Sequence, residues 1–219
     1  MGFEASLSKK GRIMNQNEIK LEAGNVYHIY NRGVNEWPVF TSKNNKRHFL
    51  NKLREYVYPF AEVLAYSLLD NHFHLIIRVK VLNQRHALFK KDGLHSKQCQ
   101  LSKQIGKCIS SYTQSYNKVN KRSGALFESP FKRKVILNDN YISQTILYVM
   151  ANPVHHGLVR RARDYEFCST RDLYINSSEN IELDFVLSHF GSRENLLIAL
   201  KEFEEIENFR RFTNLEVNG

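Results

Sequence analysis

Two adjacent apolar runs limit the fold of this chain more than any other feature. AEVLAYSLL (61–69) and HFHLIIRV (72–79) are rich in β-branched and aromatic residues, and only Asp70 and Asn71 separate them. Such runs predict two strands, joined either as a tight hairpin or as one long bent pair. Neighbouring strands joined this tightly indicate a mainly antiparallel sheet.

Further strands and helices flank this pair, with N-cap candidates at Ser42 and at Asn138 or Asp139, and a helix stop at Pro153. The patterns predict a strand over 25–33, a helix over 42–57, a helix over 101–119, a strand within 125–137 and a helix over 138–152. The order β-α-β-β-α-β-α favours an α+β fold: a ferredoxin-like sandwich with a mainly antiparallel sheet, helices on one face and a C-terminal helical extension.

The charge is distributed unevenly along the chain. The net charge is +10, yet residues 176–219 carry four basic and nine acidic side chains, so residues 1–175 carry the whole positive excess. Such an excess favours a polyanionic partner, nucleic acid before a membrane surface. No apolar run approaches the ~20 residues of a membrane span, and the N-terminus lacks the apolar segment of a secretory signal. Three cysteines without C-x-x-C spacing make disulfides or a cysteine zinc site improbable and fit a reducing cytoplasm.

His72 and His74 are two residues apart on a predicted strand, so both side chains point to one face. Two imidazoles on a rigid backbone can bind one metal ion, with Mn, Zn, Ni or Co better suited than Mg. The alternative is a pair of core or surface histidines satisfied by hydrogen bonds. Spacing alone leaves both interpretations open.

Tyr148 and Asn152 are four residues apart and therefore share one face of a helix. Asn152 offers an oxygen ligand, and Tyr148 offers a phenol, which becomes a nucleophile when a nearby cation or base stabilises the phenolate. The alternative is a core tyrosine and an ordinary asparagine at the helix C-terminus.

Four segments together resemble a known family. YHIYNRGVNEWPVF, AYSLLDNHFHLIIRV, SYTQSYNKVNKRSGALFESPFKRKVI and YVMANPVHHGLV occur in the order found in single-tyrosine HUH transposases. The sequence is most similar to the branch of REP-associated tyrosine transposases, over roughly residues 24–205. Residues 81–100 look longer than the usual connection in the family.

The resemblance implies roles for individual residues. His72 and His74 would be metal ligands with Asn152 as the third, Mg or Mn the expected ion, and Tyr148 the nucleophile that forms a 5′-phosphotyrosine with single-stranded, hairpin-bearing DNA. It also implies an N-terminal arm (1–23), a catalytic domain (24–160) and a C-terminal extension (161–219) in a cytoplasmic, nucleoid-associated protein. Relatives include dimers that exchange the tyrosine helix, so a homodimer stays open.

Basic and polar residues near these motifs are candidates for DNA contact, since cations neutralise phosphates. They are Arg32, Lys132, Arg133, Lys134, Asn117 and Arg122. Alternation places Lys132 and Lys134 on one strand face and Arg133 on the other. We expect His28 to be a hydrogen-bonded strand histidine, and His155 and His156 to be loop or surface residues.

Two other functions remain open at this stage. One is a domesticated module that binds hairpin DNA or RNA without cutting it. The other is a metallohydrolase with water as nucleophile, for which Asp70 is the acidic residue closest in sequence to the histidines.

Overall fold

The computed structural model describes residues 19–81, 98–175 and 179–217, and the side chains of 98, 99 and 209–217 are not described. Most of the predicted N-terminal arm and of the long 81–100 segment therefore lies outside the described residues. The predicted division into arm, catalytic domain and extension stays a prediction.

Four strands form one antiparallel sheet. They are β1 (Val26–Arg32), β2 (Ala61–Leu68), β3 (His72–Val79) and β4 (Lys132–Ile136), in the spatial order β2-β3-β1-β4. Every neighbouring pair is antiparallel. β2 and β3 form a tight hairpin, in which the Leu69 N–H donates to the His72 carbonyl at 2.9 Å. The predicted α+β fold with an antiparallel sheet is therefore confirmed.

Two helices, α1 (Lys43–Tyr56) and α2 (Gln98–Val119), pack together. The Ser42 hydroxyl caps α1 as predicted, because it accepts from the Asn45 N–H at 3.2 Å. The Phe73 ring packs 4.9 Å from that of Phe49 on α1, and the Phe49 ring lies 5.2 Å from that of Tyr112 on α2. The odd-numbered side chains of β3 therefore face these two helices and fix the sheet in the core.

The third helix, α3 (Asp139–His155), lies against the opposite face of the sheet, since Tyr148 on α3 contacts His74. The prediction of helices on one face thus holds for α1 and α2 but not for α3. α3 also continues through Pro153, where we expected it to end. Proline cannot donate to the Val149 carbonyl one turn earlier. The Cys168 thiol lies near this part of the helix: it donates to the Met150 carbonyl at 3.2 Å and is 3.8 Å from the Val149 carbonyl.

The C-terminal part is helical, as predicted. Two 3₁₀ segments (Ala162–Asp164 and Ser169–Tyr174) precede α4 (Leu183–Ser188) and α5 (Arg193–Val217). α5 packs against α3, which brings acidic side chains of the extension close to the tyrosine helix. Within the described ranges, none of the helices is long and apolar enough to cross a membrane.

Candidate active site

Three histidines of neighbouring strands meet on the α3 side of the sheet. The rings of His72 and His74 lie 5.1 Å apart between centroids, as their spacing on β3 predicted. His28 of β1 joins them, with its Nε2 2.8 Å from His74 Nδ1. Sequence reasoning expected a hydrogen bond for His28 but did not identify its partner, because strand pairing across 46 residues is invisible to local patterns.

The orientation of His72 follows from a neighbouring amide. The Asn71 side-chain nitrogen donates to the Glu36 carbonyl at 3.3 Å, so its Oδ1 faces His72 Nδ1 at 2.6 Å. An amide oxygen only accepts, and His72 therefore carries its proton on Nδ1. The Nε2 of His72 is left with its lone pair, which is the form of imidazole that binds a metal ion.

Tyr148 of α3 lies over the histidines. Its ring centroid is 5.8 Å from that of His74 and 6.4 Å from that of His28, both in edge-on arrangements. Asn152, one turn further along α3, has no exposed surface. Neither polar atom of its amide has a hydrogen-bond partner among the described residues. The residues predicted on sequence grounds thus converge within one chain, and no exchange of α3 between subunits is needed to bring them together.

Burial controls the pKa values of these groups. Burial, with a smaller contribution from Lys134, lowers the pKa of His28 to about 3. Burial and the neighbouring histidines also lower the pKa of His74. The pKa of His72 is lowered, mainly by burial. The nearby Asn152 amide opposes this lowering, although neither of its polar atoms makes a hydrogen bond within the described residues. All three imidazoles are therefore neutral near pH 7.

The pKa of Tyr148 is raised, mainly by burial. The Asn152 amide opposes this shift, whereas Glu207 and Tyr30 add to it. A phenol in this position needs a base or a cation before it can act as a nucleophile.

The donors fit a divalent metal ion. Metal-bound histidines usually hold one ring nitrogen in a hydrogen bond and bind the ion with the other, and both His72 and His74 have Nδ1 engaged. The unpartnered, buried oxygen of Asn152 could supply a third ligand of the kind that hard cations prefer. Among the described residues no cluster of three His, Cys, Asp or Glu side chains could hold a metal. The amide oxygen is therefore essential to this ligand set.

Sequence reasoning missed three residues at the rim. His156, expected at the surface, is exposed but its ring lies 4.8 Å from that of His72. His155 lies 6.1 Å from Tyr148 between ring centroids, and its Nδ1 is 2.5 Å from a carboxylate oxygen of Glu207 on α5. Both histidines are exposed at the surface, as expected, but α3 continues through Pro153 to His155, and its end brings His155 and His156 to the rim of the site.

Arg32 and Lys132 lie beside the site and reach solvent. Arg32 pairs with His72 across β1 and β3, and Lys132 pairs with Tyr30 across β1 and β4. Glu128 accepts from Arg32 Nε at 2.6 Å and lies 3.5 Å from Lys132 Nζ. Lys134 pairs with His28 in register, on the same face as Lys132, as alternation predicted.

Arg133, Asn117 and Arg122 have structural contacts. Arg133 is only 7% exposed and donates to the Ile19 carbonyl at 3.3 Å and to the Ser102 hydroxyl at 2.9 Å. Its burial argues against the predicted DNA contact, because the guanidinium is occupied inside the fold. Asn117 accepts from Arg122 at 2.9 Å, and both donate to carbonyls of the turn that follows α2.

Among solved structures, a REP-associated tyrosine transposase is similar to this chain. A structure described as "Structure of the REP associates tyrosine transposase bound to a REP hairpin" matches with a TM-score of 0.50 at 17% identity, over 77% of this chain and 98% of that one. This chain has the fold of a REP-associated tyrosine transposase. The predicted resemblance is confirmed at the level of the fold.

The remaining comparisons add little. Two structures of a bacterial tRNA(His) guanylyltransferase-like protein, with GTP and with ATP, match at a TM-score of 0.37 and 12% identity. The GTP complex matches over 61% of this chain and 64% of its own, and the ATP complex over 62% of each. This similarity is too low to indicate a relationship. No protein-family model and no curated protein matches the sequence.

Proposed function

We propose that this chain cleaves single-stranded, hairpin-bearing DNA and transfers the cut strand, with Tyr148 as nucleophile. His72, His74 and Asn152 would bind the divalent metal ion, Mg²⁺ or Mn²⁺. The observation that carries the proposal is the approach of the Tyr148 ring to the paired histidines, 5.8 Å from that of His74. A solved structure of the same fold, a tyrosine transposase bound to a REP hairpin, supports the choice of substrate.

The proposed step is a transfer of the phosphodiester to tyrosine. The Tyr148 oxygen attacks phosphorus, the bond to the 3′ oxygen of the preceding nucleotide breaks, and that oxygen leaves as a free 3′-hydroxyl after taking up a proton. The product is a 5′-phosphotyrosine ester. Reversal of the same step, with a different 3′-hydroxyl, rejoins the strand, because the ester retains the energy of the original bond.

His155 is suited to receive the phenolic proton. The Glu207 carboxylate lies against His155 Nδ1, which places the proton of the neutral ring on Nδ1 and leaves the Nε2 lone pair free. A base is required at this point because burial raises the pKa of Tyr148. A metal ion bound by His72, His74 and Asn152 would polarise the phosphate and stabilise the charge that develops on it.

The test is formation of a covalent protein–DNA adduct. A single-stranded hairpin oligonucleotide labelled at its 3′ end is incubated with Mn²⁺, and the labelled protein is resolved under denaturing conditions. We expect an adduct with the unchanged protein and none with Tyr148→Phe. Tyr141→Phe, on the same helix, is the matched control and should retain the adduct.

The other two functions are distinct outcomes of this experiment. Hairpin binding without any cleavage would support the non-cleaving module. Cleavage that survives in Tyr148→Phe would support a metallohydrolase with water as nucleophile. Asp70, its candidate base, is engaged elsewhere, since Lys46 Nζ donates to its carboxylate at 2.7 Å.

A further inference from the structure

The loop after β1 is fixed to the turn that carries His72. The Gly33 N–H donates to the Asn71 carbonyl at 2.7 Å, and the Val39 N–H donates to the Asp70 carbonyl at 2.8 Å. The Asn71 side chain adds a third hydrogen bond, which it donates to the Glu36 carbonyl at 3.3 Å. Residues 33–39, which we call the Trp37 loop, are therefore bound at both ends and in the middle to residues 70–71.

The Trp37 loop also has a restrained backbone. Asn35 and Glu36 both adopt positive φ, 55° and 60°, a region that residues other than glycine rarely enter. Gly33 packs so closely that a Cβ there would lie 2.1 Å from the Trp37 carbonyl oxygen. Strained conformations of this kind persist where surrounding contacts enforce them, and they concentrate at ligand sites. The backbone of Trp37 is thus held in place before any ligand arrives.

The side chain on this loop is the one tryptophan of the sequence, and it is 69% exposed. An indole is the largest apolar side chain, and burying it would be favourable. The indole remains largely exposed, although hydrogen bonds to residues 70–71 hold the backbone of the Trp37 loop in place. A loop whose backbone is held against the residues preceding His72, and whose flat ring is exposed, is suited to stacking against another flat ring.

Charges around the loop favour a nucleic-acid partner only modestly. Arg32 and Lys132, with side chains 48% and 41% exposed, are accessible to phosphates of a bound strand. Glu36 and Glu128 lie against these cations and offset much of their charge. Stacking must therefore supply most of the affinity at this position.

We propose that Trp37 is a stacking platform for one unpaired DNA base, adjacent to the phosphodiester that Tyr148 attacks. The inference rests on the proposed function, because it assigns a base-binding subsite to that same site. Base–aromatic stacking is tolerant of sequence, so the platform would hold an unpaired nucleotide in place rather than select its identity.

The protein provides its own probe, since all indole fluorescence comes from Trp37. Unlabelled single-stranded oligonucleotide is titrated into the protein without added metal, and indole emission is followed. Anisotropy of a dye-labelled copy reports binding independently. We expect quenching that saturates with the same affinity as the anisotropy, and much weaker quenching with a blunt duplex. Tyr141→Phe, the control variant used above, should show the same quenching as the unchanged protein.

Substitution provides the second measurement. Trp37→Leu should weaken binding of the single strand about 5- to 150-fold, the range expected for one lost stacking contact, and should leave duplex binding unchanged. Trp37→Tyr should restore most of the affinity, because a phenol ring also stacks.

The outcomes separate this inference from the proposed function. Saturating anisotropy without quenching, or equal losses for the leucine and tyrosine variants, would overturn the stacking platform and leave strand transfer standing. A change from dimer to monomer in Trp37→Leu would also overturn it, since the indole would then pack against a second copy. If no single strand binds at all, the proposed function itself is wrong.

Discussion

The hydrogen bond between His28 and His74 makes a quantitative prediction about metal affinity. His74 can bind an ion through Nε2 only if its proton is on Nδ1, and this proton then points at His28 Nε2, 2.8 Å away. The pKa of each ring is lowered, mainly by burial, so each carries a single proton near pH 7. In that tautomer of His74, His28 must accept, and we therefore expect His28 to favour the form of His74 that can bind a metal ion.

The perturbation is His28→Leu, which removes the acceptor and puts an apolar side chain in its place on the strand. Loss of such an outer partner typically reduces metal affinity about 10- to 100-fold, which corresponds to roughly 1.4–2.7 kcal/mol. The estimate agrees with the ~1–3 kcal/mol that leaving a buried N–H unpaired costs. Two independent lines of reasoning thus give the same magnitude.

The assay is Mn²⁺ binding, followed by calorimetry and by the paramagnetic resonance signal of free Mn²⁺. Tyr30→Phe is the matched control. The Tyr30 ring stacks near that of His74, 5.9 Å away between centroids, and this substitution removes only a hydroxyl and does not alter His28. His72→Ala should abolish binding. If His28→Leu binds Mn²⁺ as tightly as the unchanged protein while His72→Ala does not, the tautomer argument is refuted.

Three further predictions test other parts of the structure. Gly33→Ala should lower the free energy of unfolding by about 1–3 kcal/mol in chemical denaturation, because the new Cβ meets the Trp37 carbonyl; an unchanged midpoint would contradict this. Lys132→Gln should reduce the slope of log affinity against log salt for single-stranded DNA by about 0.7, and an equal slope would mean that Lys132 contacts no phosphate. In a Cys99→Ser variant, native protein at pH 8 should react with a thiol reagent far more slowly than denatured protein, since burial raises the pKa of Cys108 to about 12; comparable rates would show that the thiol is accessible.

Local patterns were sufficient to predict the helices and strands and the faces that carry the paired histidines and the Tyr148–Asn152 pair. Alternation along β1 and β3 identified the strand faces, and the four-residue spacing of Tyr148 and Asn152 identified one face of α3. Caps were equally reliable, as at Asn138, whose side chain accepts from the Tyr141 N–H at 2.8 Å. These features depend on residues within two turns or one strand, where geometry follows directly from spacing.

Features that depend on distant packing were not predictable in the same way. The end of α3 was misjudged because a proline does not always end a helix, and the segment that contacts α3 in this region, at Cys168, is distant in sequence. Arg133 was assigned to DNA by charge, but its partners, Ile19 and Ser102, bury it. Residue type alone cannot distinguish an arginine that faces solvent from one that is satisfied inside the fold.

In the acidic C-terminal helix, α5, the sequence places two carboxylates at positions that are otherwise apolar. Leu196, Leu200, Glu204 and Glu207 follow one another at intervals of four, four and three residues, so two carboxylates continue an apolar stripe of α5. All four are buried, and a buried carboxylate requires a partner. Glu204 accepts from the Ala162 N–H at 2.9 Å, and Glu207 reaches His155 beside the tyrosine. Acidic residues at core positions of a helix therefore indicate a contact with another segment. Here that contact connects the C-terminal extension to the candidate active site.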